Sequence, residues 1–267
     1  MSGLLISVLT MGLLGAVFAF GLSIAQKKLR VEEDPRIDAV EGVVPGANCG
    51  GCGYPGCRAF SEAVVKGDAP PDGCPVGGKE TAAAVAEILG IQLEESERRV
   101  AVLMCRGTNE AAKRKAEYRG IDQCYAAALV QQGDKFCAYG CLGFGDCVEV
   151  CAFDALHMGD AGLPVVDRGA CTACGKCVKA CPKHLFELHP ESRRFFVFCK
   201  SKDDPKTSRQ SCKNACTGCR ICTKGAGDGE IVVEDNLSRI VNMAVLDNEE
   251  AMTWVKKCPT GAIGFLD

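Results

Sequence analysis

The chain opens with an unbroken apolar stretch. Residues 4–25 carry no charge, and only Ser7, Thr10 and Ser23 among them are polar. A helix of that length crosses the hydrocarbon core of a bilayer. Lys27, Lys28 and Arg30 follow at once, while no Lys or Arg precedes the stretch. The positive-inside rule therefore expects the amino terminus outside and the bulk of the chain in the cytoplasm, on a single-pass anchor in the plasma membrane. A cleaved signal peptide would need a basic segment before the apolar one and a small-residue cleavage site after it, and neither flank fits. Past the anchor the pattern breaks into short pieces. Residues 31–36 read as a charged linker. Residues 58–65 and 80–89 have helical periodicity, 100–104 reads as a buried strand, and 109–117 and 124–131 read as helices. Short β segments are expected at 156–158 with 164–166, 186–188 with 195–198, and 231–234 with 240–243. A final helix is expected from a capping box, Asp247 to Glu250, to Lys257.

Such short elements, with aromatic residues at only 6% of the chain, leave a thin apolar core. Cysteine changes the picture: there are 20 in 267 residues, and most fall in tight runs. The clearest is Cys171-Thr-Ala-Cys174-Gly-Lys-Cys177-Val-Lys-Ala-Cys181-Pro182, a C-x2-C-x2-C-x3-C-P string. Three thiolates on one short loop grip one face of a cubane iron–sulfur cluster, and the fourth reaches a second cluster. A reducing cytoplasm disfavours disulfides and favours metal ligation. Zinc is the competing metal. Three cysteines within seven residues crowd one zinc, and the only histidines are His157, His184 and His189.

The formal charge is -3 before any cysteine ionises. Each cubane held by four thiolates adds roughly two negative charges, so the loaded chain is acidic and ill suited to nucleic acid. Lys113-Arg114-Lys115 reads as a solvated face. No Gly-x-Gly-x-x-Gly follows a strand, so the chain offers no nicotinamide site of its own. At membrane depth the anchor holds no carboxylate, lysine or histidine of the kind that marks an ion path. Gly12, Gly15, Ala19 and Ser23 line it with small residues suited to helix packing.

The expected organisation is an α+β chain. An anchor at 1–28 precedes a four-cysteine [4Fe-4S] domain at 29–92 and a connector at 93–132. A two-cluster [4Fe-4S] ferredoxin domain at 133–198 and a degenerate one-cluster ferredoxin-like domain at 199–267 complete it. In the first, Cys49, Cys52, Cys57 and Cys74 stand among glycines that let backbone N–H groups face inorganic sulfur. In the last, the triplet Cys216, Cys219 and Cys222 is followed by Ala226 where a ligand is expected, and the second triplet before Cys258 is missing. Those absences remove the partners of one cluster together, leaving Cys216, Cys219, Cys222 and Cys258 as a set. Cys105, Cys124, Cys199 and Cys212 remain. They are either buried free thiols or, being one full complement of ligands, a fifth cluster.

Residues 133–198 resemble a bacterial two-cluster ferredoxin. Cys147 and Cys177 are 30 apart, as are Cys151 and Cys181. The first run, Cys137-x3-Cys141-x5-Cys147-x3-Cys151, is looser than the family's and reads as carrying an insertion. The cross-ligation implied by that resemblance groups Cys137, Cys141, Cys147 and Cys181, and separately Cys151, Cys171, Cys174 and Cys177.

The chain as a whole is similar to the B subunits of the Rnf-type ion-translocating ferredoxin:NAD oxidoreductases. The apolar amino-terminal helix, Gly-Ala-Asn-Cys49-Gly-Gly-Cys52-Gly-Tyr-Pro-Gly-Cys57, Cys141-Leu-Gly-Phe-Gly-Asp-Cys147 and Cys258-Pro-Thr-Gly-Ala-Ile carry the likeness. It implies an electron-entry subunit on the cytoplasmic face of a translocase, with [4Fe-4S] clusters as cofactors. Soluble ferredoxin and the other membrane and peripheral subunits would be its partners. A redox-sensing or scaffold module is an alternative. So is a relay in the reverse direction, from NADH to ferredoxin or to a transcription-factor iron–sulfur centre.

Overall fold

A computed structural model describes residues 2–29, 34–93, 97–243, 245 and 249–266. Helix α1, Ser2–Leu29, is apolar on every side: Leu9, Met11, Leu13, Phe18, Phe20 and Leu22 all project outward. The span Val8–Gln26 has a mean hydropathy of 2.1, and none of it packs on the rest of the chain.

At residues 34–36 the expected charged linker gives way to a helix; residues 31–33 lie outside the described residues. Asp34 accepts from the Arg36 backbone N–H at 2.9 Å and Pro35 occupies the first turn, so α2 runs Pro35–Val43. Asp-Pro is an N-cap and N1 signal in its own right. Helix α2 lays Ile37 and Val40 toward α3 (Cys57–Lys66) and α4 (Gly78–Leu89). Val40, Phe60, Val64 and Val85 form the resulting core. Arg58 of α3 holds Asp38 at 2.9 Å and Glu41 at 2.6 Å.

The remainder is built from two-stranded ribbons. β1 (Arg99–Leu103) pairs antiparallel with β4 (Phe186–Pro190), and β2 (Leu156–Met158) pairs with β3 (Pro164–Val166). β5 (Phe195–Val197) pairs with β8 (Ile263–Phe265), and β6 (Ile231–Glu234) pairs with β7 (Leu237–Ile240). The expected hairpin of 186–188 with 195–198 is therefore not formed. Phe195, Phe196 and Val197 are all buried, so β5 needs cover on both faces, and a lone hairpin cannot give it. β5 instead packs Phe195 and Val197 with Ile231, Val255 and Ile263. Phe196 and Phe198 pack with Val100, Val102 and Phe186.

Residues 109–117 are also not helical. Ala112 pairs with Cys212 and Arg114 with Lys135, so this segment is extended between two others. Short helices α5 (Cys124–Leu129), α6 (Asp146–Glu149), α7 (Lys176–Ala180) and α8 (Pro205–Ser211) carry or flank cysteines. Helix α9 spans Glu249–Lys256. The capping residues Asp247 and Asn248 lie outside the described residues.

Candidate metal centres

Each cysteine group is set by a turn that fixes backbone direction. In the first loop Gly46, Gly50 and Gly53 have positive φ, and Asn48 accepts from the Cys57 N–H at 2.8 Å. That bond closes the loop onto the start of α3. A cavity there is lined by Cys49, Cys52, Cys57 and Cys74 with Phe60 and Pro75.

A second cavity is lined by Cys151, Cys171, Cys174 and Cys177 with Ala101, Ala155 and Leu188. Gly175, at φ 74°, turns the chain into α7 just before Cys177, and the Ala101 N–H points at the Cys171 sulfur from 3.4 Å.

A third cavity departs from the grouping that ferredoxin spacing implies. Its cysteines are Cys124, Cys141, Cys147 and Cys181. Cys124 takes the corner expected for Cys137. The reason lies in the 30-residue repeat, which sets Cys141 against Cys171 and Phe144 against Cys174. The loop therefore has no insertion; phenylalanine stands where the second copy has Cys174. Phe144 packs edge-on against Tyr118, with ring centroids 5.4 Å apart. Cys124 is brought in from the connector by Asp146. That carboxylate accepts from the Cys124 N–H at 2.6 Å and the Tyr125 N–H at 3.0 Å, capping the first turn of α5.

Displaced from that set, Cys137 stands near Cys105 and Cys212. Burial pushes its thiol up to about 11, and those two sulfurs add to the shift. Cys105 and Cys212 both approach Gly107: a Cβ there would lie 3.4 Å and 3.7 Å from their sulfurs. Cys199 packs against the Cys212 cluster; burial raises its thiol to about 12 against the N–H groups of Cys216 and Ser201, with the Cys216 and Cys105 sulfurs adding to the rise. Cys105, Cys137, Cys199 and Cys212 thus share one neighbourhood.

The fifth set is Cys216, Cys219, Cys222 and Cys258, around a cavity that Thr260 and Ser238 also line. The Ser238 N–H points at the Cys216 sulfur from 3.4 Å, and its hydroxyl lies 3.3 Å from the Cys222 sulfur. Burial raises the Cys258 thiol. Even so, the N–H groups of Ile263, Thr260 and Ala262 and the Thr260 hydroxyl converge on its sulfur and leave it lowered overall.

The four cavities are similar in size, with 360, 380, 320 and 350 Å³ of empty space, part of it open to solvent. Among the described residues no three His, Cys, Asp or Glu side chains converge on a point that a single ion would occupy. Four sulfurs spread around a space larger than one ion, with backbone N–H groups aimed at them, suit the edges of a cubane. Burial raises the Cys141, Cys147 and Cys177 thiols to about 12, so iron must displace their protons.

An Fe-S cluster family model matches residues 44–76, and a 4Fe-4S binding domain matches residues 163–186. Over 263 residues the chain is 44% identical to the B subunit of the Na(+)-translocating ferredoxin:NAD(+) oxidoreductase complex of Acetobacterium woodii, covering 98% of this chain and 78% of that protein. This chain belongs to the family of B subunits of ion-translocating oxidoreductase complexes. A second member, from Methanosarcina acetivorans, is 40% identical over 90% of this chain and 91% of its own length. The B subunit of the proton-translocating ferredoxin:NAD(+) oxidoreductase complex of Clostridium ljungdahlii is 40% identical over 98% of this chain and 93% of its own. One relative is named for sodium and another for protons at comparable identity, so the family spans both ions.

Proposed function

We propose that this chain is the electron-relay subunit of a membrane-bound ferredoxin:NAD+ oxidoreductase that moves ions, with five [4Fe-4S] sites. The ligand sets are Cys49, Cys52, Cys57 and Cys74; Cys151, Cys171, Cys174 and Cys177; Cys124, Cys141, Cys147 and Cys181; Cys105, Cys137, Cys199 and Cys212; and Cys216, Cys219, Cys222 and Cys258. Clusters bound there would pass single electrons at the low potentials ferredoxins use.

The observation that carries this reading is the adjacency of consecutive sets. A Cβ on Gly51 would fall 2.8 Å from that of Cys174, so the first and second loops touch. Cys147 of the third set lies within electrostatic reach of Cys177 in the second, and Cys141 within reach of Cys105 in the fourth. The Cys216 N–H of the fifth set is directed at the Cys199 sulfur of the fourth. The order is a line from the amino-terminal domain to the carboxy-terminal one.

Helix α1 serves as the anchor, with Lys27 and Lys28 on the cytoplasmic side. It has no ionisable residue between Val8 and Gln26, so ion movement falls to other subunits. Soluble ferredoxin fits the connector. Ile121, Tyr125, Leu129 and Val130 are exposed around the helix that carries Cys124. Lys115 donates to the Gln131 carbonyl and Lys183 to the Gln132 side chain, both at 2.7 Å, which sets two cations beside them. A small carrier bearing thiolate-ligated clusters is acidic and complements that rim.

Stopped-flow mixing of the full-length chain in detergent with reduced ferredoxin tests the proposal. Rapid reduction of every cluster supports it. Slow or partial reduction, or a purified chain that holds zinc in place of iron and sulfide, overturns it.

A further inference from the structure

Lys135 is 1% exposed. Its Nζ donates to the Cys141 carbonyl at 2.6 Å. Among the described residues no carboxylate stands within ion-pair distance of it. The neighbouring Asp134 is held by Arg114 at 2.6 Å instead. An ammonium taken out of water without a counter-charge is strongly disfavoured, so something negative is expected close by.

The strand pairing indicates what that is. Ala112 is paired with Cys212, and Arg114, two residues on, with Lys135. Cys212 and Lys135 are thus bridged to one short extended segment, at positions two residues apart along it. The electrostatics agree. The Lys135 ammonium lies within electrostatic reach of both the Cys141 and the Cys212 sulfurs. Cys141 belongs to the third ligand set and Cys212 to the fourth.

We propose that Lys135 is the shared counter-ion of these two clusters and that its charge raises the reduction potential of both. The inference rests on the five-set ligand reading. Adding an electron makes a thiolate-ligated cluster more negative, and a fixed positive charge in a low-dielectric site favours that form. The lysine lies at the middle of the line, where the third and fourth sets meet, so it would hold electrons at the centre of the wire.

The test is a potentiometric titration followed by electron paramagnetic resonance. It uses the full-length chain in detergent, as wild type, Lys135→Met, Lys135→Gln and Lys135→Arg. Two of the five reduction steps are expected to move to lower potential in Met and Gln, and Arg is expected to keep them in place. If the neutral variants fail to load two clusters while Arg loads all, the charge requirement also stands. Unmoved midpoints in Met and Gln, an equal shift of all five, or loss of the same clusters in Arg would overturn the role of Lys135. Iron and sulfide counts on the wild type test the ligand reading separately. A count short of five clusters sinks that reading and this inference with it, whereas five clusters with unmoved midpoints sinks the inference alone.

Discussion

Gly51 meets Cys174 so closely that a Cβ on the glycine would come 2.8 Å from the cysteine's Cβ and 3.2 Å from its carbonyl oxygen. Backbone lies behind that contact, so a side chain there has nowhere to turn. Gly51→Ala is expected to push the first loop off the second, at about 1–3 kcal/mol in the packing of the two domains. Both loops keep their own cysteines, so iron content should hold. Stopped-flow reduction should split into a fast phase and a slow one, with one cluster on the far side of the gap. An unaltered single phase would show that electrons do not cross there.

The regrouping of Cys124 and Cys137 has a direct readout in paired substitutions. Cys124→Ala with Cys141→Ala should cost one cluster, because both corners belong to one set. Cys137→Ala with Cys212→Ala should likewise cost one. Cys137→Ala with Cys141→Ala should cost two. Loss of a single cluster in the last pair, measured by iron and sulfide analysis, would restore the grouping expected from ferredoxin spacing.

Ser238 serves two sulfurs of the fifth set through its N–H and its hydroxyl. Ser238→Ala keeps the N–H and removes the hydroxyl. A hydrogen bond to a ligand sulfur favours the more negative, reduced cluster. A loss of roughly 1 kcal/mol corresponds to a fall of roughly 40 mV in one-electron potential. Only the carboxy-terminal cluster should move in a redox titration.

Leu129→Asp and Lys183→Glu probe the connector surface without touching a cysteine. Each should slow reduction by ferredoxin at low salt, roughly tenfold for a steered encounter. Reduction by dithionite, which needs no protein docking, should be unchanged. Equal rates with ferredoxin would place its docking elsewhere.

The metal-binding character is legible in the sequence because thiolate spacing on a glycine-rich loop is local chemistry. The loops of Cys49–Cys57 and Cys171–Cys177 gather their cysteines as their spacing implies. The placement of Cys124 beside Cys141 and Cys147 is not local. Phe144 aligns with Cys174, so the repeat itself exposes a position without a thiol, but only folding brings the distant Cys124 to the same cavity. Helix α2 is announced by Asp34-Pro35, yet the charged residues around that cap give it little apolar period. The extended segment at 109–117 has no strong period of its own and takes its shape from the chain on either side.

Strand β5 belongs by position to the central repeat and by partner to the carboxy-terminal one. Excising the central ferredoxin-like portion at its apparent border would strand Phe195 and Val197 in water with an unpaired backbone edge. A lineage that shortened or swapped its trailing segment would have to repair that seam.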